Sequence, residues 1–193
     1  QVGHGVRPSS SQRIFSVGTL QTTESDLDLA VEGQGFFQVQ RPDGTIAYTR
    51  DGSFHLDGLR TVVTSQGLRV LGQSGLIAVP AGAANLSVLA DGTVTAQLLG
   101  EEGSVILGKL DNGPISLPET LEGLTIDASG RITGNLPGRP ETFLVGRVLL
   151  ADFPNPAGAG ALGGNLYGQT FSSGEPSIGR PTENGLGAIK QRT

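Results

Sequence analysis

A run of short strand and turn patterns between residues 27 and 57 constrains the fold more than any other part of the sequence. Apolar residues alternate with polar or small ones from Leu27 to Val31, which is the period of a half-buried strand. Gly33 and Gly35 interrupt this alternation, and Phe36–Gln40 resumes it. Glycines within strand sequence favour a bulge or a close backbone approach. The stretch therefore predicts a compact β nucleus.

Two turn signals lie in the same stretch. Pro42-Asp43-Gly44 predicts a turn into a returning strand over Thr45–Arg50. Asp51-Gly52 is a dipeptide typical of the type I′ hairpin, in which both central residues take a positive φ. The sequence Ser53–Leu56 is accordingly predicted as the partner strand of that hairpin.

The rest of the chain carries strand patterns and no helical one. Short strands are predicted at residues 61–64, 68–71 and 76–79, the last of them ended by Pro80. No stretch long enough for a helix shows an apolar stripe at helical spacing. With 31 glycines and 11 prolines, the composition favours many turns and a thin aliphatic core. The predicted fold class is all-β, an irregular sandwich or barrel-like domain.

Residues 86–110 and 124–148 form an ungapped internal repeat. Each copy predicts a strand, a turn, a second strand, a polar loop and a third strand, which is a β-meander. Two copies are too few for a solenoid. The residues that recur are the strand and turn residues that a β-meander needs, so the repeat predicts a duplicated structural module. The matched pairs are Leu86 and Leu124, Ala90 and Ala128, Gly92 and Gly130, Val94 and Ile132, Thr95 and Thr133, Leu98 and Leu136, Gly108 and Gly146, and Lys109 and Arg147.

The C-terminal part, residues 154–193, is rich in glycine and proline. Gly158–Gly163 satisfies the G-x-G-x-x-G pattern, but the residues after it cannot begin the helix that a dinucleotide site requires. That segment is therefore predicted to be a loop. Phe171 is assigned to a short strand, and residues 184–193 are predicted to be loosely ordered.

Several functional classes are disfavoured by the composition. The net charge of −5 and the scattered Lys and Arg argue against nucleic-acid binding. Without cysteine the chain has no disulfide, zinc knuckle or thiol nucleophile, and no apolar run is as long as a membrane span. His4 and His55 lack the companions of a catalytic triad. We predict no catalytic residue, no metal ligand and no cofactor.

Two further clusters of residues have both a functional and a structural interpretation. The acidic residues Glu24, Asp26 and Asp28 lack the alternating oxygen ligands of a calcium loop, so a solvated turn is predicted. An aromatic and cationic patch of Phe36, Phe37, Tyr48 and Arg50 is the other candidate. Because aromatics make up only 5% of the chain, burial of the phenylalanines in the core is favoured. For Arg50 both alternatives stay open.

Two long motifs resemble those of the bacterial flagellar rod and hook proteins. The first spans residues 27–54 and the second residues 153–176, and the first 23 residues look most like subunits of the distal rod. The chain departs from the family pattern at Arg60, where a glycine is usual, at Leu68 and at Ala159. The motif residues to which we assign roles in the fold and in subunit packing are Gly33, Gly35, Phe36, Phe37, Tyr48, Thr49, Arg50, Asp51, Gly52, Phe54, Asn165, Leu166, Tyr167, Thr170, Ser173 and Gly174.

The resemblance implies a domain plan. Residues 1–80 and 149–193 would form one discontinuous rod/hook-type β domain, with a β module inserted at 81–148. In this family the terminal segments form coiled-coil helices, so the chain is expected to be the β-rich outer part of a subunit and to be monomeric by itself.

The resemblance also implies a function and a location. The expected role is a structural subunit of the distal rod, exported by the flagellar type III system and polymerised outside the cytoplasm into the shaft that transmits torque. Its expected partners are further copies of itself, other rod and hook subunits and the surrounding basal-body rings. The alternatives are a hook protein or, from another class, a cell-surface carbohydrate-binding or glycoside-hydrolysing domain, for which no carboxylate pair can be chosen from sequence.

Overall fold

The structure, a computed structural model, describes residues 21–99 and 103–193. Within these residues the regular secondary structure consists of strands, apart from one 3-10 turn at Pro156–Gly158. This confirms the all-β prediction. The strands are β1 (Leu29–Glu32), β2 (Phe36–Gln40), β3 (Ile46–Thr49), β4 (Phe54–Leu56), β5 (Val62–Thr64), β6 (Arg69–Val79), β7 (Ala83–Val88), β8 (Thr93–Leu98), β9 (Val105–Lys109), β10 (Asp111–Pro114), β11 (Glu122–Ile126), β12 (Arg131–Asn135), β13 (Thr142–Val148), β14 (Leu150–Asp152), β15 (Gly160–Gly163), β16 (Leu166–Gly168), β17 (Ser177–Gly179) and β18 (Ala188–Gln191).

The strand β6 is the centre of the largest sheet. The main path of this sheet runs β11-β12-β13-β6-β2-β3-β16-β15, and β6 also pairs with β5 and β10. The sequence predicted two short strands here, but the structure has one strand of 11 residues. Gly72 and Gly75 lie inside it, and a Cβ at Gly72 would come within 2.3 Å of the Arg147 carbonyl oxygen. These glycines let neighbouring chain segments approach the strand without ending it.

The internal repeat forms two meanders of the same design. The first, β7-β8-β9, and the second, β11-β12-β13, are antiparallel and have register shifts at equivalent positions. The main-chain oxygens of Gly92 and Gly130 accept 2.8 Å bonds from Leu110 and Val148 respectively. The repeat is therefore structural, as predicted.

The two meanders occupy different places in the fold. The first is a separate three-stranded sheet, whereas β13 of the second pairs with β6 in the main sheet. A small apolar cluster attaches the first meander to β6 and β13, and it contains Ile77, Val88, Val94, Leu110 and Leu144. The division of the chain into domains stays a prediction.

The last strand closes the fold against the first. β18 pairs with β1, and the Ile189 side chain of β18 is buried in the main core. The Gln191 side chain donates to the Asp26 carbonyl oxygen at 2.8 Å and accepts from the Ile126 amide at 3.0 Å. The prediction that residues 184–193 are loosely ordered is therefore wrong, because a partner strand far away in the sequence holds them.

The corner at Asp51-Gly52 also differs from its prediction. β3 pairs with β2 and β16, and β4 pairs with β5, so the two strands do not form a hairpin with each other. Gly52 has no positive φ. A Cβ at this position would lie 1.7 Å from the Leu29 carbonyl oxygen. The glycine is required by the close approach of β1 and not by a type I′ turn.

None of the described residues, 21–99 and 103–193, belongs to a helix that is long and apolar enough to cross a membrane.

Candidate functional site

The two sequence motifs meet in the main sheet. β16 of the second motif pairs with β3 of the first, with Tyr167 opposite Tyr48 and Leu166 opposite Thr49. β2 lies on the other side of β3 and places Phe37 opposite Thr49. Residues that lie more than a hundred positions apart in the sequence therefore form one continuous surface of the sheet.

An aromatic cluster joins the motifs on one face of this sheet. The Phe36 ring centroid lies 5.7 Å from that of Phe153 and 6.0 Å from that of Tyr167, and the Tyr48 and Phe153 centroids lie 4.9 Å apart. All three pairs are edge-to-face, the arrangement that aromatic quadrupoles favour. Burial, and then the negative charge of Glu175, raise the pKa of Tyr48.

The opposite face of β2 belongs to the main core. Phe37 is completely buried, and its ring centroid lies 5.0 Å from that of Phe54. Together with the burial of Phe36, this confirms that the motif phenylalanines are core residues. The two adjacent aromatics thus fix β2 from both sides, since successive side chains of a strand point in opposite directions.

Arg50 holds the loop between β1 and β2. Its guanidinium donates to the carbonyl oxygens of Gly35 and of Gly33, the latter at 2.8 Å, and lies 5.6 Å from the Phe36 ring centroid. Both glycines have a positive φ, at +116 and +120. Partial burial lowers the pKa of Arg50. Arg50 is therefore half-buried and pairs locally with the loop, whereas a binding role for it stays a prediction.

A cavity of about 470 Å³ lies beside Arg50. Its walls include Phe153, Pro154, Asn155 and Asp152. Arg50 and Asp152 are the ionisable side chains of its described lining, and this lining does not bring together a nucleophile and a base. The lining therefore offers one cation, one carboxylate, and aromatic and proline faces.

The remaining residues of the first motif build the corner after β3. The Asp51 amide donates to the Thr49 hydroxyl at 3.0 Å, and the Ser53 amide donates to an Asp51 carboxylate oxygen at 3.1 Å. Gly52 then accepts a 3.0 Å bond from the Leu29 amide. These contacts fix the corner at which the chain leaves β3 and continues into β4.

The second motif forms a hairpin that lies at the edge of the sheet. β15 and β16 are joined by a turn in which Gly163, Gly164 and Asn165 all have a positive φ. The segment Gly158–Gly163, predicted to be a loop, ends the 3-10 turn and then forms β15. The prediction was wrong because pairing with β16 supplies partners that glycine-rich sequence does not announce.

A hydrogen-bonded turn follows the hairpin. The amides of Thr170 and Ser173 each donate to the other residue's hydroxyl, at 2.9 and 3.1 Å, and the Thr170 hydroxyl donates to the Gly158 carbonyl oxygen at 2.7 Å. Gly174 follows with a φ of +75. Phe171 lies in this turn and is fully exposed, so its assignment to a strand was wrong.

The other candidates from the sequence do not converge on this site. His55 is exposed on β4, whereas His4 lies outside the described residues. Asp26 forms an ion pair with Arg192. Among residues 21–99 and 103–193, no group of three or more His, Cys, Asp or Glu side chains is placed to hold a metal ion.

Two features were not predicted from the sequence. Arg60, named above as a departure from the family pattern, has a φ of +63, which lies in the left-handed region that favours glycine. Arg131 donates to the carbonyl oxygen of Leu86, and Arg147 and Arg180 donate to that of Val88, which attaches β7 to the main body. Carbonyl acceptors carry no sequence signature, so no pattern could have revealed this attachment.

Comparison with known proteins agrees with the motifs. A family model described as the flagellar hook protein FlgE/F/G D1 domain matches residues 30–96. The chain is 35% identical over 191 residues to the flagellar basal-body rod protein FlgG of Buchnera aphidicola subsp. Acyrthosiphon pisum, covering 99% of this chain and 58% of that relative. It is 36% identical over 193 residues to FlgG of Borreliella burgdorferi, with 99% and 57% covered. A shorter match, 38% over 89 residues, joins it to the flagellar basal-body rod protein FlgF of Escherichia coli, with 46% and 35% covered.

The chain therefore spans less than two thirds of the length of these FlgG relatives. Its two motifs are neighbours across β3 and β16, and its similarity to the FlgG proteins extends over almost all of its residues. These findings show that the chain belongs to the flagellar rod and hook protein family.

Proposed function

We propose that this chain is the β-rich part of a structural subunit of the flagellar rod, in its distal segment. The observation that carries the proposal is the similarity to FlgG rod proteins over 99% of the chain, combined with the pairing of both family motifs in one sheet. The motifs are used for packing, since Phe36, Phe37, Tyr48 and Ser173 are all buried. The role is accordingly shape and load transmission without catalysis.

The ends of the described chain suit such a subunit. The Thr23 amide donates to the Arg192 carbonyl oxygen at 2.9 Å, and the β1-β18 pair lies beside this contact. Because these two residues are adjacent, segments that precede and follow them in a longer chain would leave the β domain next to each other. This arrangement supports a subunit whose two terminal segments pack together along a common axis.

Assembly, location and export follow from the same proposal. The subunit polymerises with further copies through contacts that do not close into a ring, which is the geometry of a helical shaft. Its partners are other rod and hook subunits and the surrounding rings, and its site is the extracytoplasmic basal body, reached through the flagellar type III system. The isolated 193-residue chain is expected to be monomeric.

The test is deletion of the gene in the source bacterium, with complementation by the full-length protein. We expect basal bodies with shortened rods and no hooks, and recovery of rods, hooks and motility on complementation. A hook subunit would instead leave complete rods without hooks. Normal rods and hooks in the deletion strain would refute the proposal, and so would reproducible glycoside hydrolysis that one carboxylate substitution abolishes.

A further inference from the structure

The segment from Phe153 to Gly174 is uncharged. It contains no Lys, Arg, Asp or Glu, in a chain that has 13 basic and 18 acidic residues, and Asp152 and Glu175 bracket it. Residues 161–165, together with 169, 171 and 172, are exposed. We call residues 153–174 the neutral flank. Its own exposed side chains carry none of the charges that keep most protein surfaces apart.

One side of the neutral flank is an unprotected sheet edge. β15 pairs with β16 on one side, and within the described residues no strand pairs with its other side. Its sequence, Gly-Ala-Leu-Gly, contains neither the charged residues nor the proline that usually protect an edge, and Leu162 is half-exposed. Such an edge offers unpaired backbone groups to another chain.

Two other edge strands, β11 and β7, have side chains bonded to their backbone. At the far end of the main sheet, the Gln191 side chain bonds to Ile126 and Leu124 of β11. On β7, guanidinium groups occupy the carbonyl oxygens of Leu86 and Val88. The exposure of β15 is therefore not a general property of this fold.

A rigid turn presents an aromatic side chain on the same flank. Phe171 is fully exposed at 104%. Besides the bonds between Thr170 and Ser173, the Asn155 side chain donates to the Ser172 carbonyl oxygen at 2.9 Å. Since the backbone on both sides of Phe171 is fixed, a contact through its ring costs little conformational entropy. Rigid, central aromatics are the residues that most often dominate protein interfaces.

We propose that the neutral flank is the surface through which this chain contacts a second copy of itself, with Phe171 as the anchor and the β15 edge beside it. The inference rests on the proposed function, in which identical subunits polymerise. Each copy has a net charge of −5, so two copies repel at most orientations. An uncharged flank is where they approach with the least electrostatic cost, whereas a partner of opposite charge would favour an acidic surface. A second copy is the occupant that this neutrality fits.

The test uses the full-length protein in flagellated cells of the source bacterium. The photo-crosslinker p-benzoylphenylalanine replaces Phe171, two differently tagged copies are expressed together, and basal bodies are isolated after irradiation. We expect a product that carries both tags, at a yield at least about tenfold above that of the same crosslinker at Leu59, as for a central anchor against a peripheral position. Leu59 is also largely exposed, at 76%, but lies outside the flank.

A second variant tests the neutrality of the flank. Leu162→Glu adds a charge beside β15, and we expect at least about tenfold less incorporation into rods at unchanged thermal stability, because a desolvated like charge disfavours the contact. Leu59→Glu is the matched control and should be incorporated normally.

The outcomes distinguish the two proposals. If the protein is absent from basal bodies, the proposed function fails. If the protein is present but the crosslinker at position 171 reacts with a different protein, with residues 1–20 of its own chain, or with nothing, the further inference alone is overturned. Equal yields from positions 171 and 59, or normal incorporation of Leu162→Glu, would overturn it as well.

Discussion

Replacing Gly52 with alanine tests whether close packing, and not turn geometry, fixes the corner between β3 and β4. The added Cβ would lie 1.7 Å from the Leu29 carbonyl oxygen, 2.8 Å from the Leu29 carbonyl carbon and 3.2 Å from the Phe37 ring. Carbon and oxygen atoms approach to about 3.3 Å without strain, so β1 would have to move by roughly 1.6 Å. No flexible side chain can absorb this displacement, because the first two contacts are with backbone.

The expected loss of stability follows from two contributions. The displacement breaks the 3.0 Å bond from the Leu29 amide to the Gly52 carbonyl oxygen, which is about 1 kcal/mol. Overpacking adds about 1–3 kcal/mol. We therefore expect Gly52→Ala to lower the free energy of unfolding by about 2–4 kcal/mol.

The matched control lies six residues further along the chain. A Cβ at Gly58 would meet nothing within 4 Å, and Gly58 has no positive φ. Gly58→Ala should leave the stability unchanged or raise it by up to about 1 kcal/mol, since alanine has less freedom in the unfolded chain.

The assay is urea unfolding of the purified chain followed by circular dichroism, with amide hydrogen exchange as a second measurement. Exchange in Gly52→Ala should accelerate first in β1 and β18, because β1 carries the displaced carbonyl and β18 pairs with it. Equal stabilities for the two variants, or faster exchange that spares β1 and β18, would refute this account of the corner.

Three further substitutions test the contacts of charged residues that are partly or fully buried, each measured by urea unfolding. Arg50→Lys should cost about 1–3 kcal/mol, since one ammonium cannot reproduce the fork that bonds to Gly35 and Gly33, and unchanged stability would contradict this role. Burial raises the pKa of Asp127, but bonds from Ser129 and Arg131 outweigh it, so the folded pKa lies below the ordinary value of 3.8. The stability due to this carboxylate is therefore complete above about pH 5 and is lost as the pH falls through the folded pKa. The loss of unfolding free energy in Asp127→Asn should accordingly be constant near neutral pH and become smaller in acid. A loss that becomes larger in acid would contradict this sign. Burial, and then neighbouring arginines, lower the pKa of Arg147 to about 10; because no carboxylate contacts it in the described structure, Arg147→Met should be within about 1 kcal/mol of the parent or more stable, and a loss above about 3 kcal/mol would contradict this.

The sequence was informative wherever a structural signal is local. Alternation over a few residues predicted β1, β2 and β3, since side chains of a strand have a period of two. The repeat predicted both meanders because the same residues specify the same strands and turns. It could not predict that β13 joins β6 while β9 does not, since that choice depends on partners elsewhere in the chain.

The failures share a physical cause. Asp51-Gly52 prefers a type I′ turn locally, but the approach of Leu29 decides its conformation. β18 lacks a local signal because it depends on β1, at the other end of the described chain. Arg60 shows the converse, since a residue that disfavours a positive φ is held at +63. The residues on either side of Arg60 are held by Asp57, whose carboxylate accepts 2.9 Å bonds from the amides of Leu59 and Thr61.

In the proposed subunit, buried motif residues and exposed contact residues have different roles. Phe36, Phe37 and Tyr48 are buried, so substituting them would change the fold before it changed any contact. We therefore expect these motif residues to act through the fold and not through direct contacts between subunits. Contacts between subunits need exposed side chains, and the large apolar ones that are exposed on the neutral flank are Phe171 and Leu162. The hydrogen bonds that fix the turn around Phe171 come from its neighbours Thr170 and Ser173, so we expect a substitution of Phe171 to remove the proposed contact and to leave the turn intact.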